Sequence, residues 1–215
     1  MKIQPGSTLL MIGDSITDCG RLRPGADPNG DPLGSGYVSL INACLQASAP
    51  LAHIRVINMG VGGNTVRDLS ARWASDVIAL KPDWLSIMIG INDVWRQFDS
   101  VLQIEAQIGP EEFTRTLEAL IQKTLPQLKG LVLMTPYFIE PDQTDPMRMR
   151  MDEYGAEVRK IAVRCSAIFV DTQAVFDNLL ANIHPTALAE DRVHPNLIGH
   201  MLLALAFLKA VDHTW

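Results

Sequence analysis

Five short apolar runs recur along the chain, each separated from the next by enough residues for a helix: Leu9 to Ile12, Ile54 to Ile57, Trp84 to Ile89, Leu131 to Met134 and Ile168 to Val170. They are continuous rather than alternating, which is the pattern of strands covered on both faces. The segments between them carry helical spacing. Val66, Leu69, Trp73, Val77 and Leu80 draw one apolar stripe at steps of three and four residues. Another helix is predicted to open at Pro110, with Glu111 and Glu112 in its first turn, where proline and acids both favour a start. Its inner face is Phe113, Leu117, Leu120, Ile121 and Leu125. A third carries Met147, Met151, Tyr154, Val158, Ile161 and Cys165 on one side, and the segment from Leu197 to Val211 is apolar almost all round and predicted to be buried. Strands alternating with helices specify an α/β fold: a five-stranded parallel sheet with helices on both faces, a three-layer α/β/α sandwich. With 215 residues, 47% of them hydrophobic, the chain forms a core of that size as one domain, 1–215, and no internal repeat or linker divides it.

A net charge of −6 offers no basic stripe to hold a phosphate backbone, so nucleic acid is not an expected partner. Cys19, Cys44 and Cys165 are an odd, widely spaced set without metal-ligand spacing, which predicts reduced thiols in a cytoplasmic protein, with Cys19 a small packed thiol rather than a reactive one. The opening MKIQPGSTLL has too short an apolar run for a signal sequence, and no stretch reaches the roughly 18 apolar residues of a membrane span. Membrane partners are not expected.

Polar motifs stand at the ends of these predicted elements. Gly13-Asp14-Ser15 follows the first run. The second is followed by Asn58-Met59-Gly60-Val61-Gly62-Gly63-Asn64-Thr65, and the third by Gly90-Ile91-Asn92-Asp93. Asp191-Arg192-Val193-His194 lies between the last strand and the last helix. Carboxyl ends of strands in open α/β sheets are where ligands bind. Acyl transfer by a serine needs a base for its proton, an acid to orient that base, and donors aimed at the developing oxyanion. Ser15 supplies the hydroxyl, His194 the base and Asp191, three residues earlier, the orienting carboxylate. Pro195 biases His194 to extended backbone and so keeps it off the last helix. The Ser15 amide, the Gly63 amide and the Asn92 side chain are the candidate oxyanion donors. Asp14, Asn64 and Trp95 are candidate substrate contacts, Trp95 as an amphipathic ring beside the oxyanion asparagine. Asp14 and Asp93 have no catalytic step and are expected to brace loops through backbone amides. His53, His184, His200 and His213 lack partners of the Asp191 kind and read as surface or core.

These blocks, in this order, resemble the GDSL or SGNH hydrolases, and within them the bacterial intracellular serine acetylxylan esterases, through GDSITDCGR, GNTVRDL, IMIGINDVWRQ, DPMR and DRVHP. The resemblance implies a flavodoxin-like sandwich, the SGNH hydrolase fold, and removal of acetyl groups from xylo-oligosaccharides or another short-chain ester through an acetyl-enzyme. It implies no metal and no organic cofactor, and assembly as a homo-oligomer. His184 and Glu190 stand where aromatic residues are expected in that group. The G-x-S-x-G elbow of α/β-hydrolases is absent, since Thr17 lies where its second glycine would be.

Three other readings compete. A lysophospholipase, thioesterase or general short-chain acyl esterase keeps the chemistry, although its longer-chain forms need an apolar groove. A metal-dependent phosphoesterase would use Asp14, Asp18, Asp93 and His194 as ligands. An idle sugar-binding module would leave the serine, histidine and aspartate without purpose.

Overall fold

The computed structural model describes residues 1–23, 30–100 and 102–213. Five strands, β1 (Thr8–Gly13), β2 (Arg55–Gly60), β3 (Trp84–Met88), β4 (Gly130–Met134) and β5 (Ile168–Val170), form one parallel sheet in the order β2-β1-β3-β4-β5. That is the flavodoxin-like order, whose reversal point falls between β1 and β3. Eight helices lie among the described residues: α1 (Ser15–Asp18), α2 (Tyr37–Ser48), α3 (Val66–Trp73), α4 (Ile91–Asp99), α5 (Pro110–Thr124), α6 (Pro146–Arg164), α7 (Thr172–Leu180) and α8 (Leu197–Ala210). Helix α8 packs against α2 and α7, and α5 against α3 and α6, so the sheet is sandwiched. All five apolar runs are strands; four lie within one residue of their predicted bounds, and β2 runs three residues past Ile57, to Gly60.

The chain leaves β1 through a very tight passage. A Cβ on Gly13 would lie 2.3 Å from the Met88 carbonyl oxygen and 2.4 Å from Thr17 Oγ1, so only glycine lets α1 turn this closely over the strand ends. Helix α5 starts at Pro110 and buries Phe113, Leu117, Leu120 and Ile121, and α6 buries Met147 and Met151, as their spacing predicts.

The structure departs from the sequence reading in four places. The stripe of α3 does not run on to Leu80, because a π-type turn at Ala74–Ile78, closed by the Ala79 amide on the Ala74 carbonyl at 2.9 Å, rotates the following residues and leaves Leu80 40% exposed. Helix α8 is not buried all round: Leu197, Ile198, Met201 and Leu205 face outward while Leu203, Ala204 and Phe207 face the core. The polar stretch Arg96 to Gly109, expected from its composition to be a loop, becomes one only after Asp99, because Arg96 to Asp99 continue α4. Helices α2 and α7 carry no stripe strong enough to single out in the sequence. Of the polar loop expected over Arg21 to Ser35, residues 24–29 lie outside the described residues.

Ser86, in the middle of β3 and 1% exposed, has a hydroxyl with no hydrogen-bond partner among the described residues. An unmade buried bond costs about 1–3 kcal/mol. Ser86→Ala is therefore expected to leave Tm unchanged or raise it in a thermal melt. A fall of several degrees would show that the hydroxyl is satisfied.

Candidate active site

Asp14 is the N-cap of α1, its Oδ1 accepting from the Ile16 amide at 3.0 Å. The cap is thus not Ser15, whose hydroxyl is left for another partner. That partner is His194: Ser15 Oγ lies 2.8 Å from Nε2. On the other side of the ring, Nδ1 lies 2.6 Å from Asp191 Oδ2. A nitrogen facing a carboxylate carries the proton, so Nδ1–H donates to Asp191, and Nε2 accepts from the Ser15 hydroxyl.

The turn between the acid and the base is built for this contact. Asp191 Oδ1 accepts from the Val193 amide at 2.9 Å and the His194 amide at 2.8 Å, while Arg192 takes the left-handed conformation at φ 62° that the turn requires. Burial works to raise the Asp191 carboxyl, but the His194 ring and these two amides outweigh it and hold it below its usual value. The segment after β4 anchors the turn to the sheet. The Ile139 amide donates to the Arg192 carbonyl at 2.9 Å, the Tyr137 hydroxyl donates to the Val193 carbonyl at 3.3 Å, and Arg192 pairs with Glu140. Asn196 caps α8 through the Ile198 and Gly199 amides, so the helix begins only after His194 and Pro195.

The predicted oxyanion donors stand on neighbouring segments. Gly63 has φ +79°, a conformation that costs a side-chain residue energy, and a Cβ there would meet nothing within 4 Å. Among the described residues, neither the Ser15 nor the Gly63 amide has a hydrogen-bond acceptor. Asn92, on the first turn of α4, is 3% exposed and donates one carboxamide hydrogen to the Asn64 carbonyl at 3.0 Å. The other hydrogen remains for a substrate atom. Asp93 beside it is a brace, accepting from the Val66 amide at 3.0 and 3.3 Å and so tying α4 to the start of α3.

The substrate-contact expectations fare unevenly. Trp95 lies beside the base, its ring centroid 6.0 Å from that of His194. The Asn64 side-chain oxygen is already taken by Arg72 Nε at 2.6 Å, which leaves only its NH2 for a ligand. Asp14 needs correction: it is 1% exposed, and its carboxylate is turned under the floor of the site as a cap. Glu190 and His184 are exposed. Glu190 lines an open cleft of about 450 Å³ with Asp191 and His194. His200, read as surface or core without a partner of the Asp191 kind, is a core residue, 5% exposed, between the Tyr37 amide at 3.2 Å and Cys19 Sγ at 3.3 Å. Burial, with the His194 charge adding to it, pushes it down to about 4, so it stays neutral.

The carboxylates of the phosphoesterase reading do not converge. Asp18 is held by Arg23 and the Gly62 amide, and Asp14 and Asp93 by the amides named above. Among the described residues no three His, Cys, Asp or Glu side chains are grouped to hold a metal ion, and no helix is long and apolar enough to cross a membrane.

With this geometry in view, the comparisons are decisive. The profile of the GDSL-like lipase/acylhydrolase family matches residues 11–202. The chain belongs to that family. It is 54% identical over 215 residues to the acetylxylan esterase of Geobacillus stearothermophilus, covering 100% of this chain and 98% of that one. The crystal structure of a catalytic mutant of that enzyme, Axe2 S15A, superposes with a TM-score of 0.96 at 54% identity over 100% of this chain and 98% of that chain. Further catalytic mutants of Axe2, D191A and H194A, match equally. LAE5, an alpha/beta hydrolase enzyme from the metagenome of Lake Arreo, matches with a TM-score of 0.95 at 51% identity, covering 98% of this chain and 97% of that one.

Burial pushes Asp93 up to about 7, Asp68 adding to it while the Val66 amide and Arg67 oppose. Asp14 is likewise pushed up to about 7 by burial, with Asp93 adding and the Ile16 amide and Arg72 opposing. Such a carboxyl keeps its proton in the native state at pH values where the unfolded chain, at 3.8, has lost it. The native state then binds more protons, and stability falls as pH rises between about 4 and about 7. Asp93→Asn keeps an acceptor for the Val66 amide and drops the charge. Relative to wild type, its urea midpoint is expected to fall less with pH across that window. Parallel curves would remove Asp93 as the source.

Proposed function

We propose that the protein is a serine esterase that removes acetyl groups from acetylated carbohydrates, xylo-oligosaccharides first among them. The single observation carrying this reading is the hydrogen-bonded series Ser15, His194, Asp191 at 2.8 and 2.6 Å. The catalytic mutants of the Axe2 esterase at residues of the same type and number support the assignment.

In the first half-reaction the Ser15 hydroxyl proton passes to His194 Nε2 as Oγ bonds to the acetyl carbonyl carbon. The carbonyl π pair moves onto oxygen, and the Ser15 amide, the Gly63 amide and the free hydrogen of the Asn92 carboxamide receive that charge. Asp191 stabilises the imidazolium. As the intermediate collapses, the bond to the sugar oxygen breaks and Nε2 returns the proton to that oxygen, leaving Ser15 acetylated. Water gives a proton to Nε2, attacks the same carbon, and acetate leaves as Oγ recovers its proton. No electrons change hands and no cofactor takes part. The open, polar surroundings of the base, with the Glu190 cleft and the Trp95 ring both next to it, suit a sugar leaving group better than a long acyl chain.

The reading extends to a reducing cytoplasm, supported by three free cysteines, and to a homo-oligomer, supported by the outward apolar side chains of α8. Light scattering tests the assembly.

Acetate release from acetylated xylo-oligosaccharides is the test of the activity, with p-nitrophenyl acetate and octanoate compared alongside. Wild type is expected to release acetate and to prefer the acetyl ester, and Ser15→Ala to lose activity. Loss of one oxyanion donor, as in Asn92→Ala, is expected to lower kcat about 10²- to 10³-fold. A rate rising with acyl length would favour the lipase-like alternative.

A further inference from the structure

Arg72 belongs to no motif singled out in the sequence, yet its side chain, 15% exposed, is spent on the framework of the site. Nε donates to Asn64 Oδ1 at 2.6 Å, Nη1 to the Met59 carbonyl at 2.8 Å, and Nη2 to the Gly13 carbonyl at 2.9 Å. Asp76, one turn on and 2.8 Å from Nη1, aims the guanidinium. Gly13 lies two residues before Ser15, and Asn64 directly follows Gly63. Asn64 also accepts the Asn92 carboxamide at its own carbonyl, at 3.0 Å. One cation therefore reaches, directly or through one residue, each of the three segments that carry an oxyanion donor.

We propose that Arg72 is a positioning residue for the oxyanion hole, fixing the Ser15 and Gly63 amides and, through Asn64, the Asn92 carboxamide in one mutual geometry. The proposal rests on the esterase reading above. It explains why an arginine stands there: a planar fork serves several acceptors in different directions at once, while a lysine ammonium is a single point on a flexible stem. It also explains why the donors are set before substrate arrives. Preorganised donors cost no reorganisation at the moment of reaction, and a shift of about 1 Å in such a site loses on the order of 10²-fold in rate. A residue that merely held α3 to the sheet would affect melting and leave the turnover of folded enzyme alone.

The test is steady-state kinetics of Arg72→Lys and Arg72→Gln on p-nitrophenyl acetate, per mole of protein shown to be folded by circular dichroism. A loss in kcat of about 10- to 100-fold is expected, with KM held within about threefold. The acid limb of the kcat/KM profile is expected to stay where it is, because the Ser15 and His194 pair is untouched. An Arg72→Lys enzyme with wild-type kcat overturns the proposal, as does a loss confined to KM. If the Arg72 variants do not fold, Asn64→Ala removes the Nε acceptor together with the NH2 left for a ligand, and it too is expected to lower kcat more than it raises KM; unchanged kcat overturns the proposal. Should wild type hydrolyse no ester, the esterase reading fails by itself. The ¹⁵N amide resonances of Ser15 and Gly63 then still decide the placement: they are expected to shift or broaden in Arg72→Lys, and identical resonances overturn it.

Discussion

The Ser15 hydroxyl and the His194 ring stand 179 residues apart in the chain and 2.8 Å apart in space, and that contact rests on both segments being fastened to one edge of the sheet. On the Ser15 side the fastening is steric. The absence of a side chain at Gly13 lets α1 lie directly on the strand ends, and a Cβ on Gly60 would fall 2.1 Å from the Asp18 amide nitrogen. On the His194 side it is polar, through the bonds that run from residues 137 to 140 after β4 to the Asp191 turn. Neither half holds the geometry alone, and the order β2-β1-β3-β4-β5 brings them to the same end.

Around that contact the protein uses buried polar groups to organise backbone. Asp14 caps α1, Asp93 accepts the amide at the start of α3, and Arg72 joins the Met59 and Gly13 carbonyls at the ends of β2 and β1. Each lies under the site rather than in it. The groups proposed for catalysis are more open, with Ser15 half-buried and side-chain accessibilities of 46% for His194 and 41% for Asp191. A rigid, desolvated floor beneath a solvated triad is consistent with water being the second substrate.

Much of this was legible in the sequence, because its signals were local. Continuous apolar runs mark covered strands wherever they occur, and polar motifs directly after them fall at the strand ends by construction. The Asp191 and His194 pairing needs only a three-residue turn. What escaped depends on contacts between distant elements. Arg72 looks like any exposed helix arginine until its side chain is seen to meet the Met59 and Gly13 carbonyls of β2 and β1, and the link of His200 to Cys19 spans 181 residues. Asp14 reads both as a brace through backbone amides and as a substrate contact, and only its burial leaves the brace alone. Leu80 and the outer face of α8 were misjudged because apolar periodicity does not register a π-type turn, and because it cannot distinguish a core from an apolar face left outward.

The central claim is that Ser15 Oγ carries the acyl group between two half-reactions. Rapid mixing with an activated acetyl ester, acid quench within the first turnover and peptide mass spectrometry measure this most directly. The account predicts one acetyl group on the peptide that contains Ser15, at the serine itself, and none in Ser15→Ala. Full ester turnover with no acetylated Ser15, or with the acetyl group on another residue, would contradict it.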